Sequence, residues 1–527
     1  MGTCPFCRSQ TLPGDSICYS CGRVITGTSG MDTRVRGDFD RTSTRRAHLG
    51  SSRRKPAKKN EKKAIKKRRN RINQLGLLGL IAFIFLTPDA KEFVLAKWAE
   101  AQEYILEAAA PAQVFPLEAE YTVLRTIDLA NPSSNQGTLS ESIPVPSDVS
   151  SNEGGVGSFE YTDGQYIANS MIQEVLNMEL RIDNQVISIP METSPKLEKV
   201  NAIVTDSGYL VWWPSMDDGS SQSKCAHGNC IRIEMTLDPG EQESFDFAVT
   251  VKSVSHTWWH STRMDGRLDG KSEGVSVERS GTFSDISERG YDERSGTFGS
   301  YKYWYDRNVG SSNHKWAIDG RNSTAPTVTQ VAASIDASLP NNLKTNAYAY
   351  ARATFDWLNS HVPYDVSAPI TARSGEHCLV DGMGDCDDQS NAFMSIMRVK
   401  DIPTWYVFGA LTGPDYTQWE GHAWAYIMLP LSEDWCNSQG IVLETCYVEG
   451  AVDVVNRKWL VHTPTAYIDW VEPTPVIANP NAMNVDGYYG GGSMSYGMER
   501  MRSFSTEGDP IISGGTWNNK WLEETLG

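Results

Sequence analysis

Sixteen consecutive residues without a formal charge, Ile72 to Thr87, divide this 527-residue chain into two electrostatically opposite parts. Their centre is Leu75-Gly-Leu-Leu-Gly-Leu-Ile-Ala-Phe-Ile-Phe-Leu86. Residues 1–71 hold 19 Lys and Arg against 5 Asp and Glu, a net +14, so the overall charge of −17 leaves −31 for the remainder. Halves so different do not share one environment easily. A spanning helix needs about 20 apolar residues. The run is short of that, but the basic cluster Lys62 to Arg71 immediately before it can snorkel and lengthen the span. The alternatives are a buried core helix or a signal-peptide apolar region, and a 70-residue basic leader is too long for the latter. Residues 72–88 are therefore expected to form a transmembrane helix. By the positive-inside rule the N-terminus is cytoplasmic and the C-terminal domains extracytoplasmic.

The leader itself carries two Cys-x-x-Cys knuckles, Cys4-Pro-Phe-Cys7 and Cys18-Tyr-Ser-Cys21. Four thiolates at this spacing suit tetrahedral Zn2+, and so short a segment has too little core to fold without the metal. Residues 1–28 resemble a zinc ribbon, either a metal-folded nub or a docking module for a cytoplasmic protein partner. Residues 29–71, rich in Arg, Lys, Ser and Gly, are expected to be a disordered basic linker. A basic run abutting an apolar segment is more simply a topology and anionic-lipid signal than a nucleic-acid footprint. Membrane lipid is thus the expected partner, in preference to nucleic acid.

Beyond a helical stalk at 89–111, the chain changes character. Residues 112–262 contain alternating runs such as Tyr121 to Leu129, Ile231 to Leu237 and Phe245 to Val251, split by Gly, Pro and Asn turns. That spacing predicts an antiparallel β-sandwich. Residues 263–340 read as a Gly-rich connecting region in which Glu278-Arg-Ser-Gly-Thr-Phe283 recurs as Glu293-Arg-Ser-Gly-Thr-Phe298, and 479–527 as a flexible tail.

The chemistry is concentrated between these segments. Gly384-Asp-Cys-Asp-Asp-Gln-Ser-Asn-Ala-Phe393 places Cys386 on the first turn of a helix capped by Asp385, where unpaired N–H groups and the helix dipole favour a thiolate. Thirty-six residues on, Gly421-His-Ala-Trp-Ala-Tyr-Ile-Met-Leu429 is a β-type run opening with a histidine able to take the thiol proton. An amphipathic helix, Ala347 to His361, precedes the cysteine and ends in Val362-Pro-Tyr364; Asp401-Ile-Pro-Thr-Trp405 stands between cysteine and histidine. In combination, residues 341–478 resemble the transglutaminase-like branch of the papain-type α+β fold, with Asp401 and Trp405 replacing the family's Gly and Arg. Such proteins often carry a β domain ahead of the catalytic one, and the order here is similar. The resemblance thus gives a multidomain chain: zinc ribbon, transmembrane helix, all-β sandwich and papain-like domain.

The resemblance also implies an Asp or Asn on the strand antiparallel to the histidine strand. Trp459-Leu-Val-His-Thr-Pro-Thr465 has the family's spacing but Thr463 in the acid slot. Asp453, in the strand-like run Cys446 to Asn456, is the preferred candidate, because counting from the run's start sets it opposite His422; Asp469 and Glu472 are the runners-up. Outside a membrane, Cys225 with Cys230 and Cys436 with Cys446 are local disulfide candidates, and Cys378 is a core thiol, a partner elsewhere, or a redox lock on Cys386. The expected function is a membrane-anchored Cys-His-Asp enzyme acting on amide bonds of an extracytoplasmic protein or peptide, with hydrolysis favoured over cross-linking and no cofactor in catalysis. The alternative is an inactive envelope binding or structural protein on the same fold.

Overall fold

The computed structural model describes residues 114–151, 171–215, 229–259, 274–290, 325–368, 372–471 and 492–518, together with the backbone of four two-residue strands near the N-terminus. Those strands form two antiparallel pairs, Gly2–Thr3 with Gln10–Thr11 and Ile17–Cys18 with Arg23–Val24. The thiol groups expected to hold zinc, on Cys4, Cys7, Cys18 and Cys21, lie outside the described part. So do the linker, the expected span at 72–88, the stalk, the second Glu-Arg-Ser-Gly-Thr-Phe copy, Cys225 and Glu472. Among the described residues no helix is long and apolar enough to cross a membrane.

Alternation along the 17-residue strand Val114–Ala130 buries Ala119, Tyr121, Val123, Ile127 and Leu129 on one face. It pairs in antiparallel fashion with Gln242–Val254, which pairs in turn with Met171–Ile182. A second sheet runs Ile203–Val204, Leu210–Trp212, Cys230–Leu237, Gly137–Pro144 and Gly492–Met494. Apolar faces of both sheets, including Ile231, Ile233, Phe245 and Phe247, meet in one core, as expected of a sandwich.

Two boundaries differ from the sequence reading. The segment 479–527 is not simply a tail: Gly492–Met494 adds to Gly137–Pro144, and Glu499–Asn518 pairs along Val114–Ala130. The sandwich is therefore completed by residues from the far end of the chain. The connecting region 263–340 likewise contains a helix, Pro326–Ser338, whose buried Val328, Ala332 and Ile335 join the core of the next domain. Its first hexapeptide copy is docked: Gly281 N–H donates to Pro430 O (2.8 Å), and Tyr348 N–H donates to Ser280 Oγ (3.0 Å).

That next domain has a five-stranded antiparallel sheet in the order Lys458–Trp459, Tyr447–Asp453, Trp419–Pro430, Thr404–Thr412, Ala466–Val471. Helices Ala347–His361 and Cys386–Arg398 pack on it. The latter buries Ala392, Phe393, Ile396 and Met397, the residues at helical spacing in the sequence. A disulfide between Cys436 and Cys446, with Cα atoms 6.1 Å apart, closes the connection between the two strands that carry His422 and Asp453. Cys230 is also disulfide-bonded.

Polar side chains join this domain to the sandwich. Gln173 imitates a neighbouring strand, donating to Ile468 O (2.6 Å) and accepting from Ile468 N–H (2.8 Å). Arg125 forms a buried ion pair with Asp469.

Candidate active site

Cys386 is the first residue of its helix. Asp385 caps that helix, its carboxylate accepting from Asp388 N–H (3.3 Å) while Asp388 accepts from Asp385 N–H (3.4 Å). The preceding Gly384 is fixed by pairing on both sides, donating to Pro363 O (3.2 Å) and accepting from Asp365 N–H (3.0 Å). A Cβ there would lie 2.7 Å from Asp388 Cβ and 2.8 Å from Cys378 Sγ, so only glycine lets the turn close.

Ser390, one turn along the same helix, donates from Oγ to Ala423 O (3.5 Å), which sets the start of the helix against the residue that follows His422. His422 Nε2 lies 3.0 Å from Asp453 Oδ2. With the carboxylate as acceptor, Nε2 carries the proton and Nδ1 keeps its lone pair. Asn456 completes the clamp, with its Nδ2 donating to Asp453 Oδ2 (2.8 Å) and its backbone N–H to Oδ1 (3.1 Å). Trp424 stacks on the imidazole with centroids 5.7 Å apart.

The register that produces this contact differs from the one counted in the sequence. Ala425 pairs with Val452 and Met428 with Glu449, which sets His422 two residues away from direct opposition to Asp453. A two-residue offset keeps both side chains on one face, and the diagonal is bridged by the long imidazole. Asp469, the first runner-up, lies on Ala466–Val471 at the other side of the sheet, with its carboxylate engaged by Arg125 and by Tyr467 OH (3.2 Å). Thr463 hydrogen-bonds with Thr465 (2.9 Å) and accepts from Lys458 (3.1 Å).

The electrostatics depart from the expected stabilised thiolate. Burial, then Asp387 and Asp385, push the Cys386 thiol well up, and the Ala423 N–H only partly opposes them. Acidic residues crowding the helix start outweigh its dipole. Asp387 is itself pushed well up by burial and Asp385, and Asp388 rises to about 6 through burial and Asp385 despite Arg373. Burial opposes ionisation of Asp453, but His422, Lys458 and Asn456 outweigh it and hold that carboxyl below the usual range. The surroundings thus favour the neutral thiol of Cys386 and the ionised carboxylate of Asp453. Asp385, Asp387 and Asp388 place oxygens within 4.8 Å of one another, a spacing that a cation could use. Asp388 is already held by Arg373, at 2.7 Å from its Nε, and Asp385 by the helix N–H, so these carboxylates work as caps.

Cys378 is buried and free, packed beneath Gly384; burial pushes its thiol well up. Three contributors were not singled out from sequence. Asn456 ends the strand-like run Cys446 to Asn456, Lys458 lies across from Asp453, and the Tyr364 phenol is pushed up by burial and by Cys386, Asp385, Glu420 and Asp387. The signal for Tyr364 was present, as the tyrosine ending the preceding helix.

Residues 335–439 match the Transglutaminase-like superfamily, a stretch that includes Cys386 and His422 but stops before Asp453. The chain therefore carries a transglutaminase-like domain. Among solved structures, a candidate cysteine protease from Cytophaga hutchinsonii is similar at 11% identity and TM-score 0.35, over 77% of this chain and 99% of that one. A candidate protease from Parabacteroides distasonis ATCC 8503 is similar at 8% identity and TM-score 0.18, over 57% and 62%. No curated protein matches the chain.

Proposed function

We propose that this chain is a membrane-anchored cysteine hydrolase that cleaves amide bonds of extracytoplasmic polypeptides. The observation that carries the reading is the 3.0 Å contact of His422 Nε2 with Asp453 Oδ2, on a strand whose Ala423 O accepts from Ser390 Oγ (3.5 Å) one turn along the helix that Cys386 opens. Cys386 Sγ attacks the amide carbonyl as its proton passes to His422 Nδ1. Asp453 holds the Nε2–H and stabilises the resulting imidazolium. The tetrahedral intermediate collapses as His422 returns the proton to the leaving amine, giving a thioester. Water then attacks the thioester with His422 as base, and the carboxylic acid and free thiol are released.

The resting neutral thiol makes proton transfer part of the attack instead of a prior equilibrium. The uncharged run Ile72 to Thr87 supports the anchor, and the disulfide Cys436–Cys446 suits an oxidising compartment on its far side. In the same reading Cys4, Cys7, Cys18 and Cys21 hold structural Zn2+ on the cytoplasmic side.

The test is labelling of the full-length chain with iodoacetamide across pH, comparing wild type with Cys386→Ala and His422→Ala. Labelling at Cys386 that depends on His422 supports the pair. Equal labelling of wild type and His422→Ala at every pH would remove the catalytic reading. Incorporation of a lysine-like amine into substrate in place of water would convert it to cross-linking.

A further inference from the structure

Beyond the three residues of the triad, we propose that Lys458 is a positioning residue of this site: its ammonium, seated on the sandwich, holds the Asp453 carboxylate ready as the partner of His422. The inference rests on the triad reading given above. Its first support is register. Lys458 is the antiparallel partner of Asp453 on the neighbouring strand, so the two residues are fixed side by side by backbone pairing. Its second support is how the ammonium is held. Nζ donates to Thr463 Oγ1 (3.1 Å), a buried hydroxyl already tied to Thr465 (2.9 Å), and lies 5.6 Å from the centroid of Phe115.

Phe115 belongs to the sandwich strand Val114–Ala130 and is stacked on Trp517 of the C-terminal strand, with centroids 5.1 Å apart. Trp517 is pinned in turn by donating from Nε1 to Ser255 Oγ (3.0 Å). An unbroken series of contacts therefore runs from the last described strand through two aromatic rings to the cation beside the acid.

The surroundings make that cation matter. The ionisable groups facing Lys458 are Asp453 from the adjacent strand and His462 from the strand after it, with His256 of the sandwich behind His462. His462 is kept neutral by burial, by Lys458 and by His256, and its Nε2 is hydrogen-bonded to Ser253 Oγ (2.9 Å). Burial lowers the Lys458 ammonium from its ordinary value and Asp453 opposes that lowering, so the two groups support each other's charged forms. A buried carboxylate without such a neighbour takes up a proton more readily, and a protonated Asp453 no longer fixes the Nε2–H tautomer. The sandwich thus contributes to catalysis through charge placement, without touching substrate.

The test measures iodoacetamide labelling of Cys386 in the full-length chain as a ratio to the His422→Ala background, from acid to neutral pH. In wild type this His422-dependent excess falls away on the acid side at a definite midpoint. In Lys458→Met the midpoint moves up by about one pH unit, the size of effect expected for loss of one nearby charge in a partly buried site. Lys458→Arg restores the wild-type midpoint. Lys458→Gln, which keeps a donor for Thr463, repeats the measurement if the methionine variant does not fold. A midpoint unchanged in Lys458→Met or Lys458→Gln overturns the role of Lys458 while leaving the triad intact. Absence of any His422-dependent excess in wild type overturns the triad reading, and this one with it.

Discussion

Replacing Asp453 by asparagine is the most informative perturbation of the site, because it preserves shape and removes one charge. Asp453 Oδ2 accepts from both His422 Nε2 (3.0 Å) and Asn456 Nδ2 (2.8 Å), and Oδ1 accepts from Asn456 N–H (3.1 Å). An amide in the same place offers one oxygen to three donors. Turned toward His422 and the Asn456 side chain, it sets its NH2 against the Asn456 backbone N–H; turned the other way, it faces the imidazole with a donor. Loss of a charge-assisted hydrogen bond costs about 1.5–3 kcal/mol, and one buried donor left unmatched adds about 1–3 kcal/mol. Together these give about 2.5–6 kcal/mol, or a slowing of roughly 10²- to 10⁴-fold at 1.36 kcal/mol per decade. The assay is acylation of Cys386 by p-nitrophenyl acetate, followed as the p-nitrophenolate burst, with Cys386→Ala as the blank. An Asp453→Asn burst within threefold of wild type would refute the assignment of the acid.

Three further outcomes follow from the packing. The double variant Cys436→Ser/Cys446→Ser opens a loop of sequence separation 10 and should lose about 2.7 kcal/mol by the chain-entropy relation, read from urea melts; an unchanged midpoint would show that the surrounding contacts already fix this connection. At Gly409, paired with His422, a Cβ would stand 1.8 Å from Tyr467 O, so Gly409→Ala should displace the strand Ala466–Val471 and lower stability by at least about 1–3 kcal/mol, with wild-type melting as the contrary result. Burial, Lys458 and His256 lower His462 from 6.5 to about 3, so unfolding takes up a proton between those values. Stability should therefore be complete above pH 6.5 and fall by about 1.4 kcal/mol per pH unit as pH drops toward 3. His462→Gln should flatten that slope in melts taken at stepped pH, and a slope identical to wild type would exclude His462 as its source.

Local chemistry was legible in the sequence wherever a residue's role is set by its neighbours. Asp385 before an apolar helical period marked the start of the cysteine helix, and the run from His422 marked a strand. Asp453 could be picked out although the pairing was counted two residues off, because an even offset leaves the face unchanged. The thiol's electrostatics were misread for a definable reason: the dipole argument counted N–H groups, while Asp385 and Asp387 carry charge into the same small volume. The C-terminal strand was invisible because residues 499–516 are nearly all exposed or half-buried and show no apolar alternation. Only its pairing with Val114–Ala130, hundreds of residues earlier, makes it a strand. Lys458 was equally hidden, since a lone lysine acquires meaning only from the carboxylate across the ladder.

The closing of the sandwich by Glu499–Asn518 sets an order on how this protein is made. The transglutaminase-like domain is an insertion between sandwich strands, so the ribosome delivers Cys386, His422 and Asp453 while the strand Val114–Ala130 has Gln242–Val254 on one side but still lacks its second neighbour. Phe115 has no Trp517 to lie against until that later strand emerges. A nascent chain thus holds these residues in a frame that closes only once Glu499–Asn518 has emerged.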